Sequence, residues 1–292
     1  MCDDHSIEDM IDATRRAETL SRRQFGSLAM GSGLIAVLPR VANAAEVKES
    51  EVEIKTPDGT CDAYFVHPAT GKHPGVLVWP DIMGLRPAFR QMGKRLAESG
   101  YSVLVVNPFY RSKKAPVVEP GKSFQDPATR SALMTLAGAL NQETAFADAK
   151  AFIAYLDGQA AVDTKRKIGT TGYCMGGPLI MRTAATVPNR VGAAASFHGG
   201  GLVTDKPDSP HLLVPKMKAS FLIAVAENDD ARQPEAKTVL RKSFDDAKLP
   251  AEIEVYAGAQ HGWCPPDGAV YNQVQAEKAW ERLLVLFKKA LA

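Results

Sequence analysis

Cys174 stands in Gly172-Tyr173-Cys174-Met175-Gly176-Gly177, a G-x-C-x-G spacing between a short strand-like run and a helix-like one. That arrangement suits a nucleophile elbow. The nucleophile of an elbow sits at a sharp strand-to-helix turn, and the residues two before and two after it must be small for strand and helix to approach. Gly172 and Gly176 occupy those positions, with cysteine where serine is commoner. Backbone N–H groups and the helix N-terminus beside the thiol would favour a thiolate and stabilise a developing oxyanion. The competing reading is a buried structural cysteine in a glycine-rich loop.

A thiol that attacks an ester or lactone needs a base, and the base needs an orienting group. Asp229 follows the strand-like run Ser220 to Ala226, and His261 follows Ala251 to Tyr256 within Gly258-Ala259-Gln260-His261-Gly262-Trp263. Nucleophile, then acid, then histidine is the α/β-hydrolase order. Asp230 is a rival acid, four residues before Pro234; Asp229 is favoured because distance from the strand end fixes where a side chain enters a cleft. His198, at a strand end before three glycines, reads as a loop or core residue, and no chemistry falls to His5, His67, His73 or His211. No Cys and His pairs recur at ligand spacing apart from His261 with Cys264, so neither a metal nor another cofactor is expected.

The elements that must position these residues alternate in type. A hairpin is expected from Val47 to Lys55 and Cys61 to His67, joined through Pro57-Asp58-Gly59. Buried strands follow at Gly75 to Pro80, Tyr101 to Val106, Ile168 to Thr171, Val191 to Phe197, Ser220 to Ala226 and Ala251 to Tyr256. Helices are expected at Ala88 to Ser99, Pro127 to Ala139, Glu143 to Leu156, Pro178 to Thr186, Pro234 to Ala247 and Asn272 to Leu291. The polar, proline-containing segment Ser112 to Asp126 reads as a surface excursion. Strands rich in Val, Ile and Leu alternating with helices imply a mainly parallel sheet covered on both faces. Ligands of such sheets gather beyond the carboxyl ends of the strands, where Cys174, Asp229 and His261 all fall.

The chain of 292 residues is 45% hydrophobic and 23% charged, with a formal net charge of +2, values ordinary for a soluble globular protein. Scattered Lys and Arg argue against nucleic acid as a partner. The first 44 residues read differently. Ser21-Arg22-Arg23-Gln24-Phe25 is a twin-arginine pattern, followed by a weakly apolar run from Leu28 to Leu38 and then Ala42-Asn43-Ala44. That order reads as an export signal for the twin-arginine route, with that machinery as partner and the periplasm as destination. The apolar run falls well short of the roughly 20 residues of a membrane span. Residues 1–44 are thus assigned to the signal and 45–292 to one domain. Three cysteines would remain after cleavage, Cys61, Cys174 and Cys264, so at least one thiol is left without an intramolecular disulfide.

The elbow, the Asp229 and His261 segments, Asp81-Ile82-Met83-Gly84 and Pro108-Phe109-Tyr110-Arg111 together resemble the dienelactone hydrolase family of the α/β-hydrolase superfamily. The resemblance covers residues 46 to 291. It implies Cys174 as nucleophile, His261 as base and Asp229 as orienting acid, with the backbone N–H groups of Ile82 and Met175 as oxyanion hole. It also implies that Asp81 engages and activates the thiol, although the family residue is usually glutamate. Arg111 matches an arginine that grips the carboxylate of dienelactone substrates. The second arginine of that grip, shortly after the histidine, is absent here, where the chain reads Gly262-Trp263-Cys264-Pro265-Pro266-Asp267. The implied activity is hydrolysis of a small ester or lactone, in the manner of a carboxymethylenebutenolidase, through a thioester. The alternatives on the same fold are a non-catalytic or redox-responsive periplasmic binding protein, and a peptidase or acyl transferase.

Overall fold

Eight strands form one sheet in the order β1-β2-β4-β3-β5-β6-β7-β8 in the computed structural model, which describes residues 38–292. The opening hairpin pairs β1 (Val47–Thr56) with β2 (Gly59–Pro68), and β2 runs antiparallel to β4 (Ser102–Val106). Every other pairing is parallel, through β3 (Gly75–Trp79), β5 (Ile168–Tyr173), β6 (Val191–Phe197), β7 (Ser220–Ala226) and β8 (Ala251–Tyr256). The expected mainly parallel sheet is present. The β3 and β5 strands lie side by side, with Trp79 opposite Gly172, so the chain leaves the sheet at two adjacent points beside the elbow.

Strand periodicity divides the core into two layers. Leu77 and Trp79 of β3 join one apolar cluster, while Val76 and Val78 join the other. On the first face lie α2 (Pro127–Gly138), α3 (Gln142–Asp157), α4 (Gly176–Thr186) and α6 (Ala236–Asp246), through residues such as Leu133, Phe152, Ile180 and Phe244. The second face is covered by α1 (Pro87–Glu98) and α7 (Gln273–Ala290), with Phe89, Leu96, Leu283 and Phe287 pointing inward. Each such side chain, fully withdrawn from water, contributes about 1.5–3 kcal/mol before conformational entropy is set against it.

Most boundaries fall within two residues of those expected. Gly100, at φ +95°, ends the turn after α1, a conformation glycine adopts without strain. Three segments depart from expectation. Residues 112–126 are irregular as expected, but Val117 and Phe124 are buried in the core. A short helix, α5 (Glu227–Arg232), precedes α6, and a 3-10 helix (Pro210–Lys216) lies between β6 and β7. Of the export signal, Ser21 to Phe25 lies outside the described residues. Leu38 packs against the α1 and α7 layer, and the Ala45 amide donates to the Glu98 carbonyl at 3.0 Å. Among the described residues no helix is long and apolar enough to cross a membrane.

Candidate active site

The elbow is sterically determined by its glycines. A Cβ on Gly172 would lie 2.2 Å from the Gly176 carbonyl oxygen, and one on Gly176 would lie 2.4 Å from the Trp79 carbonyl oxygen. Both obstacles are backbone and cannot swing aside. Strand β5, helix α4 and the end of β3 therefore touch at the turn, which holds Cys174 at φ +53°. A non-glycine residue in that region stores strain and needs its surroundings to hold it. Here the Cys174 amide donates to both the Phe197 carbonyl at 3.0 Å and His198 Nδ1 at 3.1 Å.

Those two bonds commit the Cys174 amide to the sheet side. Met175 heads α4, and no side chain caps that helix N-terminus. Ile82 follows the end of β3, which Gly176 contacts directly. Both residues are buried.

His261 is completely buried, and its loop is pinned by a hydrogen bond from its own amide to Asn228 Oδ1 at 2.8 Å. Its Nδ1 lies 2.8 Å from Asp229 Oδ2. Asp229 sits in the first turn of α5, whereas Asp230 turns away and accepts from Lys237 Nζ at 2.6 and 2.8 Å. The geometry thus joins Asp229, not its neighbour, to the histidine.

His198 is also fully buried, at φ +43°. Its ring centroid lies 5.2 Å from that of His261 and 5.0 Å from that of Trp263. Burial, reinforced by the proximity of His261, pushes its pKa well below the usual imidazole value. Nδ1 accepts from Cys174, so the proton of the neutral ring belongs on Nε2. His198 is a core residue, as expected, but one that holds the elbow amide.

Asp81 and Arg111 are placed less as the resemblance implied. The Asp81 carboxylate accepts from Arg86 Nη1 at 2.6 Å, from Arg86 Nη2 at 3.0 Å and from the Met83 amide at 2.9 Å. Those bonds brace its loop and hold an arginine, which fits poorly with a direct lever on the thiol. Arg111 stacks on Tyr110 and forms ion pairs with Asp58 and the buried Asp148. The arginine that lines the pocket beside His261 is instead Arg86. This cavity, about 130 Å³, is bounded by Asp81, Met83, Arg86, Phe124, His261 and Asp267, among others. Sequence reasoning passed over Arg86 because it precedes a helix-opening proline and resembles an ordinary solvated charge. Trp79, Phe109 and Trp263 are core residues.

Cys61 and Cys264 are buried thiols, and burial raises the pKa of both. They stand in opposite core layers and form no disulfide.

A mainly parallel eight-stranded sheet with a nucleophile elbow after β5, an acid after β7 and a histidine after β8 defines an α/β-hydrolase. The profile described as the dienelactone hydrolase family matches residues 61–291, and the chain belongs to that family. It is a hydrolase of the dienelactone hydrolase type. Among its relatives, the carboxymethylenebutenolidase of Rhodococcus opacus is 27% identical over 244 residues, covering 81% of this chain and 90% of the relative. The solved structure of a dienelactone hydrolase-like promiscuous phosphotriesterase from metagenomic libraries superposes with a TM-score of 0.70 at 21% identity, covering 84% of this chain and 99% of that one. The dienelactone hydrolase of Anabaena variabilis gives a TM-score of 0.59 at 17% identity over 84% of this chain and 99% of that one. At those identities the two structures speak to the fold.

Proposed function

We propose that the protein is an exported hydrolase of small esters or lactones that works through a thioester on Cys174. The observation that carries this reading is the Asp229–His261 couple at 2.8 Å, held at two strand ends with His261 lining a pocket, in a chain that also carries a cysteine elbow. His261 holds the thiol proton while the Cys174 sulfur attacks the carbonyl carbon. The carbonyl oxygen becomes an oxyanion and rests on the Ile82 and Met175 amides. Collapse of that intermediate breaks the C–O bond, and the leaving alkoxide takes the proton from His261. Water, activated by the same imidazole, then cleaves the thioester to release the acid. Asp229 keeps Nε2 directed at the reacting groups and stabilises the imidazolium. Asp81 acts by holding Arg86 at the pocket, and Arg111 by bracing the opening hairpin against α3. The hydrolase works in the periplasm, reached by the twin-arginine route.

The test is p-nitrophenyl acetate hydrolysis by the wild-type protein and by Cys174→Ala, with quenched samples taken for mass spectrometry. The expected result is a loss of at least about a thousandfold in kcat/KM, together with one acetyl group on the wild-type peptide bearing Cys174. Undiminished turnover by the variant would remove Cys174 from the mechanism.

A further inference from the structure

The pocket beside His261 contains an arginine with nothing left to give. Arg86 Nε donates to Asp267 Oδ2 at 2.6 Å. Nη1 donates to Asp81 Oδ1 at 2.6 Å and to the Gly84 carbonyl at 3.3 Å. Nη2 donates to Asp81 Oδ2 at 3.0 Å and to Asp267 Oδ1 at 2.9 Å. A guanidinium has five N–H donors, and these bonds use all five. The group also lies over the Phe89 ring, 5.0 Å from its centroid, which fixes its plane. Burial opposes its charge, yet the two flanking carboxylates hold its pKa above the ordinary guanidinium value.

The charge balance at this wall is therefore negative. Asp81 and Asp267 contribute two negative charges against one positive on Arg86, and apart from His261 the rest of the lining is uncharged. Asp267 comes from the loop after His261. Arg111, which does not line this pocket, directs Nε, Nη1 and Nη2 at Asp58 and Asp148.

We infer that the Asp81–Arg86–Asp267 cluster makes this pocket selective for esters and lactones whose acyl and alcohol parts carry no negative charge. A carboxylate entering the cleft meets a wall of net negative charge and finds no guanidinium donor free to receive it. An uncharged substrate meets instead the apolar Met83, Phe124 and Val270. The inference rests on the hydrolase reading for its substrate but not for its charge preference.

Two readouts keep these apart. The first compares kcat/KM for 4-acetoxybenzamide and 4-acetoxybenzoate, each divided by its own hydroxide-catalysed rate so that the difference in leaving-group acidity cancels and the remote charge remains. The expected preference is about tenfold for the amide, the effect of one unit charge at close range in a partly desolvated cleft. Asp267→Asn cancels the excess charge and releases Arg86 donors, so this ratio falls about tenfold. The second readout needs no turnover. The Cys174 thiolate displaces iodide from iodoacetamide or iodoacetate, forming a C–S bond, and peptide mass mapping gives each rate relative to free cysteine. Iodoacetamide is expected to lead by about tenfold on that scale.

Equal or faster alkylation by iodoacetate overturns the inference whether or not the protein hydrolyses esters. So does a wild-type preference for 4-acetoxybenzoate, or a folded Asp267→Asn protein with an unchanged ratio. If neither ester is cleaved but iodoacetamide leads, the hydrolase reading fails and the charge selection stands. If Asp267→Asn does not fold, the wild-type ratios decide alone.

Discussion

Cys174, His198 and His261 form a unit at the residue scale, because the amide of the first is held by the ring of the second, which packs against the third. His198 therefore acts as a positioning residue. Replacing it with Phe removes an acceptor from a strained turn and should cost about 1–2 kcal/mol of stability, with part restored by Asn, whose Oδ1 can accept the same bond. The same residue gives the fold an acid-sensitive component. In the unfolded chain it titrates near 6.5, whereas in the fold its pKa lies well below that value. Between the two values the unfolded chain holds a proton that the folded chain lacks. Stability from this group is thus complete above about pH 6.5 and falls as pH drops below it, by up to about 1.4 kcal/mol per pH unit. Urea unfolding at pH 7 and pH 5 should show a larger acid loss for the wild type than for folded His198→Asn; equal losses would contradict a neutral buried His198. That Cys174, Asp229 and His261 each follow a strand was legible in the sequence, because the apolar runs before them are short and bounded by turn residues. The bond from Cys174 to His198 was not, because two strand ends become neighbours only through sheet pairing.

At the element scale, β5, α4 and β3 meet with no room for a side chain, and their contacts predict where substitutions fail. Gly172→Ala and Gly176→Ala each drive a methyl group into a backbone carbonyl and should destabilise the fold by about 3 kcal/mol or more. Gly138, at the end of α2, meets nothing within 4 Å, so Gly138→Ala should be neutral or add up to about 1 kcal/mol. Thermal unfolding of the three variants separates these outcomes, and a wild-type midpoint for Gly172→Ala would refute the packing argument. Periodicity revealed the strands and long helices because each buries a continuous face. It did not reveal α5, where Glu227-Asn228-Asp229-Asp230 carries the composition of a turn and has no apolar stripe. Nor did it reveal that Phe124 would line the pocket, since single apolar residues in a proline-containing loop show no period.

For the whole molecule, the export reading and the fold constrain one another. A cysteine hydrolase working where disulfides form must protect its thiol, and export as a folded unit would present Cys174 already buried to 2% exposure. Cleavage after Ala44 would leave Ala45, whose amide is tied to α1 through Glu98, as the first residue. It would also remove Leu38, which lines a cavity of about 30 Å³ beside Met92, Cys264 and Trp280. The precursor and mature forms should therefore differ at one apolar patch while sharing the same site. Fractionation of cells producing the wild type should recover a periplasmic protein beginning at Ala45. Arg22→Lys combined with Arg23→Lys should leave the uncleaved chain in the cytoplasm, folded and able to react with iodoacetamide at Cys174, because the substitutions precede the domain. A double variant still processed and exported would overturn the twin-arginine route. Loss of Cys174 reactivity in the retained protein would show that the site is not completed before transport.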